Sequence, residues 1–268
     1  MNTTPLIEIK NVNKIYKVAK GTDVNALNGV SLDIFENEFV CVVGPSGCGK
    51  TTLLNIIAGL EHYDSGSVKM AGRDVIGPGP ERGVIFQQYA LFPWMTVKKN
   101  IMYGMKFLKK EDGTPYTKEE KGQRADQFIR QVNLQGFENS FPKELSGGMK
   151  QRVAIARGYA VDPKVLLMDE PFGALDAQTR AQLQEELLEV WEKQRKTIFF
   201  ITHDVDEAVL LATKIVIMSA RPGKIMEIID NTNIKYPRTQ ATKLDPQFEK
   251  TRNYVWDTVY KMYLEVRK

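Results

Sequence analysis

The chain has 268 residues, 43% of them hydrophobic and 26% charged, enough apolar material for one large domain with a modest appendage. Those values exclude collagen-like, disordered and disulfide-scaffold chains, and two cysteines, Cys41 and Cys48, fit a reducing compartment. The net charge of +4 resides from Lys235 onward, where eight Lys/Arg face four Asp/Glu, so the main body offers no basic face for nucleic acid. The N-terminus shows no secretory pattern, and no apolar run approaches the roughly eighteen residues of a membrane helix. The expectation is a cytosolic chain, at most peripheral to a membrane.

Half-buried antiparallel strands are predicted first, around Ile7-Glu8-Ile9 and Val30-Ser31-Leu32-Asp33-Ile34. Four continuous apolar runs follow: Phe39–Val43, Val84–Phe86, Val165–Met168 and Ile198–Ile201. Each ends in polar or glycine-rich residues. Runs of this kind suit parallel strands covered on both faces by helices, with ligands bound beyond their carboxyl ends. Helical patterns cover Thr51–Leu60, Gly147–Val161 and Thr179–Gln194. Between about Tyr89 and Gly136 the strand pattern lapses, which predicts an inserted helical subdomain with an exposed connection over Lys106–Gln123. From Pro246 onward, Phe248, Val255, Val259, Met262 and Val266 share one face of an amphipathic helix expected to pack on the body.

Gly44-Pro45-Ser46-Gly47-Cys48-Gly49-Lys50-Thr51 has the pattern of a phosphate-binding loop between a buried strand and a helix. Its glycines let backbone N–H groups turn toward phosphate oxygens, and the helix adds its positive N-terminus. Lys50 would reach the β- and γ-phosphates, and the Thr51 hydroxyl would ligate Mg2+. Asp169 and Glu170, at the end of a buried strand, suit a metal-holding carboxylate beside one that polarises a nucleophilic water. Leu145-Ser146-Gly147-Gly148-Met149-Lys150-Gln151 makes a second phosphate-ready helix terminus, N-capped by Ser146. One nucleotide needs only one such cradle, so the second could serve a neighbouring subunit. Modification of Cys48 is expected to block nucleotide binding at the loop, and Cys41 to be inert strand core.

On these residues the sequence resembles the ATP-binding cassette family, from about Ile7 to Ile228. Gly44–Thr51 resembles its Walker A loop, Leu145–Gln151 its signature, and Val165–Glu170 its Walker B strand. Gly173-Ala174-Leu175-Asp176 resembles its D-loop. The resemblance implies an α/β fold: a P-loop NTPase of the ABC type with a mixed central sheet, an antiparallel β subdomain and an inserted α-helical subdomain. It implies an ATP-binding domain over 1–235, with the helical subdomain at about 89–160, and a helical tail over 236–268. Catalysis would fall to Glu170, His203 and Gln87. Tyr16 would stack on adenine. Gly44, Pro45, Ser46, Gly47, Cys48, Gly49, Lys50, Thr51 and Thr52 would hold the nucleotide. Ser146, Gly147, Gly148, Gln151 and Asp176 would complete that site, while Thr51, Gln87 and Asp169 would hold the metal.

The same resemblance implies ATP and Mg2+ as ligands and a head-to-tail pair of cassettes, expected to be a homodimer. It further implies an integral-membrane permease dimer, an extracytoplasmic solute-binding protein reached through it, no nucleic acid, and a place on the cytoplasmic face of the inner membrane. Gly77–Trp94 is similar to the nitrate/sulfonate/taurine/bicarbonate importer branch, with Phe92 and Trp94 as candidate permease contacts; packing of these rings within the subdomain is the competing reading. The sequence shows neither the regulatory domain of the sugar-importer branch nor the second cassette or coiled-coil insertion of soluble non-transport ATPases. A P-loop kinase has no use for the signature. An exporter cassette, or one for another organic solute, would share the same ATP chemistry.

Overall fold

The computed structural model describes residues 4–19, 21–110 and 112–266, with side chains to 264. Met1 to Thr3 and the side chain of Val266, both used in the readings above, lie outside the described residues. The chain divides into two units, Met1–Gly79 with Arg195–Lys268, and Pro80–Gln194.

The first unit begins with the antiparallel pair β1 (Ile7–Tyr16) and β2 (Val24–Ile34), in which Ile7 faces Ile34 and Ile9 faces Leu32. Ile7, Ile9 and Val12 are buried while their neighbours are more exposed, the alternation of a sheet with one wet face. β3 (Phe39–Val43) is buried at every position, and α1 (Lys50–Ala58) follows it. Gly59, at φ 73°, closes α1 by donating its N–H toward Asn55 and Ile56. β4 (Ser65–Met70) and the two-residue β5 (Arg73–Asp74) complete a four-stranded antiparallel sheet in the order β2-β1-β4-β5.

The second unit holds β6 (Arg82–Ile85), α2 (Val97–Gly104), α3 (Lys118–Gln131), α4 (Gly147–Ala160), β7 (Val165–Asp169) and α5 (Ala177–Gln194). β6 and β7 run parallel, with Ile85 opposite Met168, so Gln87 and the Asp169–Glu170 pair emerge at the same edge. The exposed connection expected to reach Gln123 ends at Thr117. There the Thr117 hydroxyl accepts from Glu120 N–H while the Glu120 carboxylate accepts from Thr117 N–H, a capping box that starts α3 six residues before the connection was expected to end. Helices α2, α3 and α4 pack together, with Val97, Ile101, Phe128, Ile129, Val153 and Tyr159 buried among them.

The chain returns to the first unit with β8 (Thr197–Ile201), α6 (Val205–Leu211), β9 (Lys214–Met218), β10 (Ile225–Asp230) and α7 (Pro246–Val266). β3 lies between β8 and β9, parallel to both, and β10 adds antiparallel to β9, so the sheet is mixed. Val42 stands opposite Ile201, which brings the residues after β8 to the phosphate-loop end of β3. Of the stripe that the periodicity predicts, Phe248, Val255 and Met262 of α7 are buried and Val259 is half-buried.

A buried arginine closes the segment before α7. Arg238, 2% exposed, donates to the carbonyls of Val209, Leu210, Ala212, Asn231 and Ile234, so the last turn of α6 has its free acceptors filled.

Candidate active site

In the first unit the site is built on the turn from β3 into α1. Gly49 adopts φ 97°, and a Cβ there would stand 2.7 Å from both the Ala26 carbonyl oxygen and Leu27 Cδ2, so only glycine fits. Lys50 is 6% exposed and its ammonium turns back into the loop, donating to Gly44 O at 2.8 Å and Pro45 O at 3.1 Å. A cation is thereby held at the centre of a ring of backbone at a helix N-terminus. That arrangement suits a polyphosphate. Ser46 and Gly47 are exposed, whereas Cys48 is buried against Lys50, with Nζ to Sγ 3.8 Å. Burial pushes the Cys48 thiol up, and the Lys50 charge opposes this only in part.

His203 follows β8 and is exposed; Asp204 behind it N-caps α6, its carboxylate accepting from Glu207 N–H at 3.2 Å. His203 lines a cavity of about 520 Å3 together with Gly44, Pro45, Ser46 and Gly47. The histidine and the phosphate loop, 152 positions apart in the chain, therefore face one space. Two residues that sequence reasoning missed join them. Arg221, in the turn after β9, donates toward Gly47 O at 3.5 Å, and Tyr263 of α7 forms part of the wall. Neither belongs to a motif, so only the fold reveals them. Tyr16, half-buried at the end of β1, directs its hydroxyl toward Thr52 Oγ1 and Glu61 Oε2, each at 3.4 Å. Lys14, bonded to Glu61 at 2.8 Å, sits 4.9 Å from the centroid of the Tyr16 ring.

In the second unit Gln87 and Glu170 converge. A Cβ built on Gly173 would stand 3.7 Å from Gln87 Nε2 and 3.7 Å from Glu170 Oε2, so the amide and the carboxylate both lie beside a residue that offers no side chain. Glu170 is held at φ 43°, a left-handed conformation rare for glutamate, and its carbonyl accepts the Gly173 N–H at 3.1 Å. Asp169 ends β7 beside it. Asp176 accepts Thr179 N–H at 3.0 Å, and that bond holds its carboxyl below the usual range.

The signature residues sit at the N-terminus of α4. Ser146 accepts Met149 N–H at 3.3 Å, and Ser146 and Gly147 are exposed. Gly148 is buried, and a Cβ on it would reach within 2.6 Å of Thr179 Cγ2. Gln151 stands apart: its side chain is fully buried, and neither its amide nitrogen nor its oxygen has a partner among the described residues. Of the two candidate permease contacts, Phe92 packs on Tyr103 with ring centroids 4.5 Å apart, while Trp94 is 69% exposed.

Among the described residues no cluster of three or more His, Cys, Asp or Glu is placed to hold a metal ion. The candidate donors are instead a hydroxyl, an amide and a carboxylate, an oxygen set suited to Mg2+ that takes its remaining ligands from phosphate and water. No helix among the described residues is long and apolar enough to cross a membrane.

Comparison with known proteins identifies the family. The ABC transporter family matches residues 27–173. An uncharacterized ABC transporter ATP-binding protein of Methanocaldococcus jannaschii is 51% identical over 236 residues, covering 88% of this chain and 85% of its own. The aliphatic sulfonates import ATP-binding protein SsuB of Bacillus thuringiensis is 45% identical over 251 residues, covering 91% and 96%. The dimeric post-hydrolysis structure of the ATP-binding cassette MJ0796, bound to ADP and Pi, superposes with a TM-score of 0.73 at 32% identity, over 84% of this chain and 98% of that one. With the phosphate loop, the strand-end carboxylates and the signature helix in place, the chain belongs to the ABC transporter family and is an ATP-hydrolysing, ATP-binding cassette of it.

Proposed function

We propose that the chain is the energy-coupling subunit of a membrane importer for a small oxyanionic solute such as a sulfonate, taurine, nitrate or bicarbonate. It would work as a pair with a second copy, bound to a permease dimer that receives solute from an extracytoplasmic binding protein. The observation that carries this reading is the likeness to a sulfonate-import ATP-binding protein over 96% of that protein's length. The exposed Trp94, in the segment similar to the importer branch, supports a permease contact.

In this reading ATP lies on the Gly44–Thr51 loop with its adenine on Tyr16. Lys50 exchanges its bonds to Gly44 and Pro45 for the β- and γ-phosphate oxygens. Thr51, Asp169 and Gln87 would hold Mg2+, whose charge would offset that of the phosphates. Glu170 orients and polarises the attacking water, and His203 fixes the γ-phosphate from the β8 side. The partner's Ser146 and Gly147 present a helix N-terminus to the same nucleotide, so ATP bridges the two copies. Loss of the γ-phosphate removes that bridge, and reopening of the pair drives the permease.

The test is purification of tagged protein from gently solubilised native membranes. The expected result is a co-purifying multispanning permease whose binding protein takes a sulfonate or oxyanion, and which stimulates ATP turnover when reconstituted. Recovery with ribosomal or DNA-repair partners and no membrane protein would overturn the transport reading and leave the ATPase standing.

A further inference from the structure

The loop that carries Gln87 is fastened to the signature helix by Arg157. After β6 the chain makes a tight turn in which Tyr89 N–H donates to Phe86 O at 3.0 Å and Ala90 N–H to Gln88 O at 2.6 Å. Tyr89 at φ 61° and Ala90 at φ 47° are consecutive left-handed residues that both carry a Cβ. Such a backbone persists only where its surroundings over-determine it. One side chain takes both carbonyls of this turn. Arg157 of α4 donates from Nη1 to Ala90 O at 2.6 Å and from Nη2 to Tyr89 O at 2.9 Å. At the other end of the same helix, the Tyr89 hydroxyl oxygen lies 3.4 Å from where a Cβ on Gly147 would be.

We propose that Arg157 is a positioning residue: by pinning the Tyr89 and Ala90 carbonyls to α4, it sets Gln87 at the reacting phosphate and makes the Gln87 loop and the signature terminus move as one piece. The inference rests on the reading of Gln87 as part of the catalytic site. The chemistry needs an arginine. A planar fork can hold two carbonyls at once, whereas a lysine ammonium on a flexible stem fixes neither their spacing nor their plane. Gln87 lies only two residues before Tyr89, too close to swing independently once Tyr89 is fixed. Because Ser146 and Gly147 begin the same helix, a pull on that terminus by a second copy's nucleotide would reach Gln87 through Arg157. The contribution is to turnover rather than to holding ATP, since what the Arg157 fork holds is the Tyr89 and Ala90 carbonyls of the Gln87 loop.

The experiment is a double-mutant cycle in the full-length protein, with kcat, ATP-analogue affinity and thermal midpoint measured for each variant. Arg157→Lys is expected to lower kcat about tenfold while nucleotide affinity stays within about twofold. Gln87→Ala alone is expected to cost at least as much. Adding Arg157→Lys to Gln87→Ala should then change kcat by less than about twofold, the non-additivity of two residues acting as a unit. A second variant breaks the latch from the loop side. Ala90→Pro, at an exposed position, forbids the left-handed φ without touching α4, and it should reproduce the kcat loss and the same non-additivity. A full tenfold loss from Arg157→Lys in the Gln87→Ala background, or wild-type turnover in both Arg157→Lys and Ala90→Pro, would overturn the proposal. Wild-type turnover in Gln87→Ala alone would instead overturn the role given to Gln87, and the proposal with it.

Discussion

Asn100 holds both backbone polar groups of Phe92: its Oδ1 accepts the Phe92 N–H at 2.8 Å and its Nδ2 donates to the Phe92 carbonyl at 3.2 Å. The same amide nitrogen also donates to Met95 O at 3.0 Å and Thr96 O at 3.1 Å, and the side chain is fully buried. One side chain thus ties the segment bearing the exposed Trp94 to the first turn of α2. Asn100→Leu keeps the volume and removes every partner at once. Leaving these part-buried backbone groups without their partner is expected to cost about 2 kcal/mol. The check is urea unfolding followed by tryptophan fluorescence; an unchanged midpoint would show that the segment is held by other contacts.

Glu170 and Gln87 both stand beside Gly173, and in the proposed function Glu170 is the carboxylate that orients the attacking water. Glu170→Gln keeps the shape and removes the basic oxygen. Turnover should fall by about a hundredfold or more with nucleotide affinity retained. Size-exclusion chromatography with ATP should then trap a pair that the wild type forms only transiently. Ser146→Arg on top of Glu170→Gln should abolish that pair while leaving nucleotide binding by the single chain intact, because the change lies at the exposed α4 terminus. Normal turnover in Glu170→Gln would remove Glu170 from its role, and an ATP-dependent pair in the double variant would remove Ser146.

Much of this site was legible in the sequence because it rests on local rules. A glycine loop between an apolar strand and a helix can be read in eight residues, and apolar runs ending in Gln87, Asp169-Glu170 and His203 mark strand ends. β9 and β10 escaped notice, as did Arg157, Arg221 and Asn100. The roles of the two arginines depend on partners far away in the chain, the Tyr89 carbonyl 68 positions from Arg157 and the Gly47 carbonyl 174 positions from Arg221. A lone arginine inside a helical run carries no local sign of what its fork will hold. The early start of α3 was different: Thr117 and Glu120 form a capping box visible in the sequence, masked there by the charged, glycine-containing stretch before it.

Cys48 carries a pH dependence. Burial holds its thiol above the ordinary range despite the nearby Lys50 ammonium, so the reactive thiolate is scarce at neutral pH. Maleimide labelling should be slower than that of a free thiol at pH 7.5, should rise as pH climbs past the ordinary thiol value, and should be suppressed by ATP. Labelled protein should no longer bind nucleotide. Cys41, fully buried in β3 with its thiol raised further, should label only on unfolding. The two are separated by peptide mapping, and rapid labelling of Cys48 with unchanged ATPase activity would contradict this account.

The Lys14–Glu61 pair beside Tyr16 yields a prediction about affinity. Its hydrogen bond to Lys14 draws the Glu61 carboxyl below its usual range, while Lys14 is raised by Glu61 against the opposing effect of its own burial. A depressed carboxyl contributes stability above its unfolded value and loses it as pH falls through the folded one. A raised lysine keeps its contribution until pH exceeds its folded value. The pair is therefore intact from about pH 5 to pH 9, and nucleotide affinity should show no step from it in that window. Glu61→Gln removes the charge that holds Lys14 near the Tyr16 ring and weakens the bond to the Tyr16 hydroxyl. Because the pair is partly exposed, its loss should raise the KM for ATP only about threefold, with kcat unchanged. A fall in kcat at constant KM would place Glu61 in the chemical step rather than in seating the adenine ring.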